Sequence, residues 1–133
     1  MSQSATRFQL RFAPLMVPLA APLGMWPSNS WVDLSDDALE VRMGVFAFFA
    51  RVPLSSIAVA RPMGDLWTAI GIHTDFQGSW AVNGSPRGMV ELVIEPEARG
   101  QFFGFSVPVR RLAISLDDPP AFLAALNERR GRS

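Results

Sequence analysis

Apolar and polar residues alternate along most of this chain, and short groups of turn-forming residues interrupt the alternation. Period-two alternation of this kind is typical of strands that bury one face. Clear alternating runs occupy residues 8–12, 39–43, 89–95 and 109–116, and shorter apolar runs occupy residues 31–34, 57–61, 67–73 and 79–82. Together they predict a mostly β domain, α+β by strict count, of about seven to eight antiparallel strands.

One run, residues 45–52, is apolar on both faces, with Phe46 and Phe48 on one face and Phe49 on the other. Such a strand is covered on both sides or presents apolar surface to a partner. Ordinary sheet core is the first interpretation. The second is an interface that includes part of the proline-rich arm at residues 13–26; its candidate residues are Leu15, Met16, Leu19, Leu23, Phe46, Phe48 and Phe49.

Turn chemistry predicts how some of these strands connect. Asn83-Gly84 lies between the runs at 79–82 and 89–95. Because both residues tolerate positive φ, this dipeptide predicts a β-hairpin that joins those two strands. Residues 96–104 are typical of a loop or a weak strand.

The period changes near the C-terminus. Asp117-Asp118-Pro119-Pro120 is typical of a helix start, with an acidic N-cap followed by proline where no N–H is needed. Phe122, Leu123 and Leu126 then share one face. Two arginines at the end of the run suit the helix dipole. We therefore predict one amphipathic helix over residues 119–130.

This layout resembles that of bacterial pleckstrin-homology-like (PH-like) domains. The similarity is carried by residues 34–44, by Val52-Pro53-Leu54-Ser55-Ser56-Ile57, and by the last strand, cap and helix at 112–126. Residues 71–73 and 80–85 resemble a stretch of small uncharacterised actinobacterial proteins. The resemblance implies a PH-like barrel capped by one C-terminal α-helix, with no activity and no functional residues to transfer.

The length of 133 residues and the absence of a linker-like segment predict a single domain over residues 1–133. Its PH-like core covers 32–128, and residues 6–31 add an N-terminal strand and the proline-rich arm. Pro14, Pro18 and Pro22 interrupt the most apolar early stretch, which disfavours a membrane-spanning helix there. We expect a cytoplasmic bacterial protein with no membrane span.

Composition narrows the chemistry. The 133 residues include no Cys, Tyr or Lys, and twelve arginines balance twelve acidic residues to a formal net charge of +0. These absences exclude disulfides, thiol nucleophiles and catalytic lysines. The arginines are spread along the chain, so a nucleic-acid surface is not expected and phosphoinositide binding is disfavoured. We expect no cofactor and no metal.

Three functional hypotheses follow. We favour a non-catalytic binding or scaffold module that acts through protein–protein contacts and self-associates as a homo-oligomer, with a homodimer as the expected form. The alternative is a β-barrel that binds a small apolar ligand; its candidate pocket residues are Trp67, His73, Trp80, Phe102, Phe103 and Phe105. A third hypothesis is an enzyme centred on His73 and Asp75, since His73 is the only general base near neutral pH.

Overall fold

The computed structural model describes residues 6–13, 18, 22, 24, 27–45, 47–64, 71–75 and 77–131. Within them the chain is mostly β, with an α-helix at its C-terminal end. The strands are β1 (Thr6–Gln9), β2 (Ser30–Leu34), β3 (Ala38–Met43), β4 (Phe48–Pro53), β5 (Ile57–Pro62), β6 (Gly71–Thr74), β7 (Ser79–Asn83), β8 (Met89–Phe102) and β9 (Phe105–Ser115), and the helix is α1 (Pro119–Arg130).

These strands form one sheet in the order β1-β2-β3-β4-β8-β9-β7-β6, and β5 pairs with β8 beside this path. The long strand β8 serves two neighbours, because its first half pairs with β5 and its second half with β4. Two isolated bridges, Leu10 to Leu116 and Phe12 to Gly84, connect the segment after β1 with the segments that follow β9 and β7. The sheet therefore bends around one shared core.

The core is built from the inward residues of the alternating runs, such as Val41, Leu92 and Ile114, which are fully buried. Helix α1 adds Phe122 and Leu126, also fully buried. Phe122 meets Phe8 edge to face, with ring centroids 5.3 Å apart. The predicted helix is confirmed at residues 119–130.

The cap at the start of α1 follows the sequence signal. The Asp118 carboxylate accepts the backbone N–H of Ala121 at 3.1 Å. It thereby satisfies one of the helix N–H groups that has no partner within the helix. Pro119 follows directly, where proline costs no hydrogen bond.

Two strand predictions are wrong. Strand β7 runs parallel to β9, so the sheet is not wholly antiparallel. Asn83-Gly84 is not a hairpin turn either, since β7 pairs with β6 and β9 rather than with β8. Gly84 is buried, and a Cβ there would lie 2.7 Å from the Phe12 ring. Glycine is needed here because two segments approach each other closely, and not because the backbone has a positive φ.

The hairpin turn at the far end of β8 is Phe103-Gly104. Phe102 pairs directly with Phe105, and the two turn residues have φ values of 47° and 86°. Positive φ at both positions matches the twist that a two-residue hairpin needs. Residues 96–102, read from sequence as a loop or a weak strand, continue β8, which confirms the strand alternative.

The region predicted as a strand at 67–73 is described only from residue 71, where β6 begins. Residues 65–70 lie outside the described part of the chain. None of the helices in the described ranges has the length and apolarity that crossing a bilayer would require.

Candidate functional site

Exposed apolar side chains gather at one end of the sheet. Four large hydrophobic residues are exposed in the described part of the chain, and three of them are Val45, Phe103 and Phe105, at 54%, 42% and 74% exposure. The fourth, Val59, lies on β5. We call the surface formed by Val45, Phe103 and Phe105 the turn end.

The turn end is held by contacts between two turns. Gly44, with a φ of 78°, begins the turn after β3, and Phe103-Gly104 joins β8 to β9. The backbone N–H of Phe103 donates to the carbonyl of Ala47 at 3.2 Å, which ties the two turns together. A left-handed conformation at a bulky residue costs ~1–2 kcal/mol. The fold thus keeps Phe103 at the surface against a local backbone preference.

Beneath the turn end lies a packed aromatic layer. The Trp80 ring sits 5.2 Å from Phe48 and 5.3 Å from Phe102, and Phe102 in turn meets Phe103 at 4.8 Å. The Trp80 indole N–H donates to the carbonyl of Pro108 at 2.8 Å, which satisfies its one polar group. The exposed Phe103 ring therefore packs against a layer of aromatic side chains that continues into the core.

The charged residues around the turn end are arginines. The segments 41–64 and 98–116 contain no Asp or Glu. Arg42 donates to the carbonyl of Val45 at 3.4 Å and lies over the Phe49 ring at 4.9 Å. Arg99 donates to the Ser106 hydroxyl at 2.9 Å. Within the described residues neither guanidinium has a carboxylate partner, so this end of the sheet is both apolar and positively charged.

A polar groove of about 560 Å³ lies elsewhere along β8 and β9. It forms where both strands depart from regular pairing. On β8 the register shifts between Val93 and Ala98. On β9 the N–H groups of Arg110 and Arg111 both donate to the carbonyl of Gly78, at 2.7 and 3.0 Å. Its lining residues are Asp75, Gln77, Ser79, Val93, Ile94, Glu95, Pro96, Glu97, Arg110 and Arg111.

Gly78 lies beside the groove, at a position where a larger residue would collide with Arg110. Its φ is 120°, and a Cβ at this position would lie 2.8 Å from the Arg110 Cγ. A side chain would thus push Arg110 away from the strand irregularity. Bulges of this kind often re-aim side chains next to binding sites.

Three carboxylates and two guanidiniums line the groove, which gives it a net charge of one negative. Glu97 pairs with Arg110 at 3.1 Å. The Asp75 carboxylate accepts the N–H groups of Gln77 and Ser79 at 2.8 and 3.2 Å, and these hydrogen bonds lower the pKa of Asp75. Glu95 is exposed and has no partner among the described residues.

A second cavity of about 490 Å³ lies between the segment after β4 and the end of α1. It is lined by Leu54, Ser55, Ile57, Asn127, Arg130 and Gly131. Arg130 reaches the carbonyl of Ala58 at 3.5 Å. The contact joins the end of the helix to β5.

The candidate interface residues divide into three groups. Phe48 is 1% exposed and belongs to the core, so it is not a surface residue. Phe49 is half-buried beneath Arg42. The others, Leu15, Met16, Leu19, Leu23 and Phe46, lie outside the described residues.

The candidate pocket residues do not share one environment. Trp80 is buried, Phe102 is half-buried, and Phe103 and Phe105 are exposed. His73 is exposed on β6, and Trp67 lies outside the described residues. Neither of the two cavities described above is lined by any of them.

Asp75 is brought into the groove, whereas His73 is not among its lining residues. The Asp75 carboxylate accepts hydrogen bonds from the backbone N–H groups of Gln77 and Ser79 and so stabilises the turn between them. This is a common arrangement for aspartate in loops. In the described part of the chain, no cluster of His, Asp and Glu has the arrangement of a metal site.

Sequence reasoning did not identify the groove. Its sequence signal is a slip in the alternation of β9: Val107 and Val109 are buried, and the next buried residue is Leu112 rather than residue 111. Two arginines occupy the slip. The signal marks a bulge, but the opposing irregularity in β8 is visible only in three dimensions.

Comparisons with protein-family models, with curated proteins and with solved structures find no match to this chain. The PH-like resemblance, the bacterial origin and the cytoplasmic location therefore stay predictions from sequence.

Proposed function

We propose that this chain is a PH-like, non-catalytic binding module that acts through protein–protein contacts and self-associates through the turn end. One observation carries the proposal. Three of the four exposed large hydrophobic side chains in the described residues lie on, or directly after, two turns that are hydrogen-bonded to each other. Clustered apolar surface of this kind marks interaction sites, whereas scattered exposed residues do not.

The energetic case rests on what an interface would bury. Removing one such side chain fully from water contributes about 1.5–3 kcal/mol. Aromatic residues dominate the few positions that carry most binding energy. Phe105 is the most exposed of the three at 74%, so it has the most to gain from a partner.

The PH-like identity has its own support. The order of strands followed by one C-terminal helix agrees with it. So do the bridges from Leu10 to Leu116 and from Phe12 to Gly84, which bring the first segment of the chain against the ends of later strands. Closure of the sheet into a PH-like barrel is part of the proposal.

Analytical ultracentrifugation over a concentration series tests self-association. We expect the average mass of the wild-type protein to rise with concentration. Phe105→Ser should shift that rise to at least about tenfold higher concentration, since ~1.4 kcal/mol of lost binding energy corresponds to a factor of ten. Phe105→Leu, which keeps an apolar side chain at the same position, should stay close to wild type.

A wild-type protein that sediments as a monomer at every concentration, up to hundreds of micromolar, would overturn self-association. Equal behaviour of Phe105→Ser and wild type, with both assembled, would place the interface elsewhere and overturn the assignment to the turn end. Circular dichroism of each variant establishes that the fold is retained before the masses are compared.

A further inference from the structure

Many charges of this neutral chain form ion pairs, but several charged side chains without a described ion-pair partner lie on two different surfaces. Around the turn end, Arg42 and Arg99 lack carboxylate partners among the described residues, and the adjoining segments 41–64 and 98–116 contain no acidic residue. The groove contains three carboxylates, and the exposed Glu95 carboxylate has no ion-pair or hydrogen-bond partner among the described residues. One chain thus carries an apolar, positive surface and a separate groove with negative charge.

A symmetric contact between two turn ends would bring positive charge against positive charge. In a two-fold interface the same patch faces itself. Arg42 and Arg99 of one copy would then face the same two arginines of the other, with no carboxylate from the adjoining segments to compensate them. Like charges brought together at an interface oppose binding.

The groove offers a better match to the turn end. Its volume of about 560 Å³ falls within the ~300–1,000 Å³ typical of cavities that hold a ligand. Val93 and Pro96 supply the accessible apolar lining for a phenyl ring in this otherwise polar groove, because Ile94 is buried in the core. Glu97 is paired with Arg110, and Glu95 and Asp75 outnumber the remaining Arg111, so the groove keeps one net negative charge for the arginines that flank that ring.

We propose that the groove is a binding site for the turn end of a second copy of this chain, so that copies associate head to tail. This inference rests on the proposed function, because it requires self-association through the turn end. Phe105 enters the groove and Arg99 approaches Glu95. Each copy still has one free turn end or groove after pairing, so association continues into a ring or a filament.

Complementary variants test this arrangement by ultracentrifugation. Phe105→Ser disables the turn end and leaves the groove intact. Glu95→Arg makes the groove positive and leaves the turn end intact. Each variant alone should be monomeric at concentrations where wild type assembles. An equimolar mixture should form a one-to-one dimer and nothing larger, because only one intact pair of surfaces is available.

Two controls sharpen the comparison. Glu128→Arg reverses the same kind of charge on an exposed position of α1 and should assemble like wild type. Arg99→Glu should weaken assembly by about tenfold or more, and combining it with Glu95→Arg in one chain should restore assembly, since the reversed charges again attract. Added salt should weaken wild-type assembly, because the attraction lies between exposed charges.

Each outcome separates the two proposals. Monomeric wild type overturns the proposed function itself. Wild-type assembly that Phe105→Ser abolishes and Glu95→Arg leaves unchanged overturns the groove and indicates a symmetric contact. Two monomeric variants that do not dimerise on mixing also overturn the head-to-tail arrangement, because each retains the surface that the other has lost.

Discussion

Phe48 and Phe105 are the same residue type in opposite environments, and substituting each by alanine tests the assignment of core and surface. Phe48 is 1% exposed and packs 5.2 Å from Trp80, whereas Phe105 is 74% exposed. For Phe48→Ala the lost transfer energy and the cavity left behind add up to about 3–5 kcal/mol. The lost contact with the Trp80 ring places the expected value in the upper part of this range, because an aromatic pair contributes about 0.5–1.5 kcal/mol.

The measurements are urea unfolding and thermal unfolding, each followed by circular dichroism at a protein concentration low enough for both variants to be monomeric. A loss of about 3–5 kcal/mol lowers the midpoint temperature of a domain of this size by roughly 10–20 °C. Phe105→Ala should change the free energy of unfolding by no more than about 0.5 kcal/mol, as at other exposed positions. A loss below about 1 kcal/mol for Phe48→Ala, or a larger loss for Phe105→Ala, would refute the assignment.

Three further substitutions have defined outcomes. Asp118→Ala removes the N-cap of α1 and should cost about 1 kcal/mol in unfolding experiments, while the exposed neighbour Asp117→Ala should cost less than half of that. Gly88 has a φ of 71°, and a Cβ there would overlap the Leu116 carbonyl oxygen, whereas Gly104 has a φ of 86° and open space around it. Gly88→Ala should therefore lower the thermal midpoint more than Gly104→Ala does, and equal midpoints would contradict this. Hydrogen bonds hold the pKa of Asp75 below its ordinary value of 3.8, so its contribution to stability is present above that pH and lost as the pH falls; Asp75→Asn should therefore flatten the acid side of a pH–stability curve, and an unchanged curve would argue against it.

Local patterns predicted much of the fold because they depend on neighbours in sequence. The alternation of Leu39, Val41 and Met43 with polar residues predicted β3, whose burial follows the same period. The acidic residues and prolines at 117–120 predicted where α1 begins. In both cases the physical cause is contained in a few consecutive residues.

The connections between strands were less predictable. Asn83-Gly84 satisfies the local rules for a hairpin turn, but β9 inserts beside β7 and pairs with it in parallel. The actual hairpin turn places Phe103 in a conformation that a bulky residue adopts only at a cost. Pairing of β8 with β9 on both sides of their register shift outweighs this local preference, and no short window of sequence contains that information.

By itself, the sequence determined where most of the described strands lie, where the helix lies, and which chemistries the missing residue types exclude. Tertiary structure decided the environment of residues that look equivalent in sequence. Phe48, Phe102 and Phe105 are all apolar strand residues, yet they are buried, half-buried and exposed in turn. Phe48 lies opposite Phe102, and Phe102 lies opposite Phe105, so their exposure depends on what packs over each side chain and not on the strand pattern. The groove arises in the same way, because it requires irregularities in two paired strands to face each other.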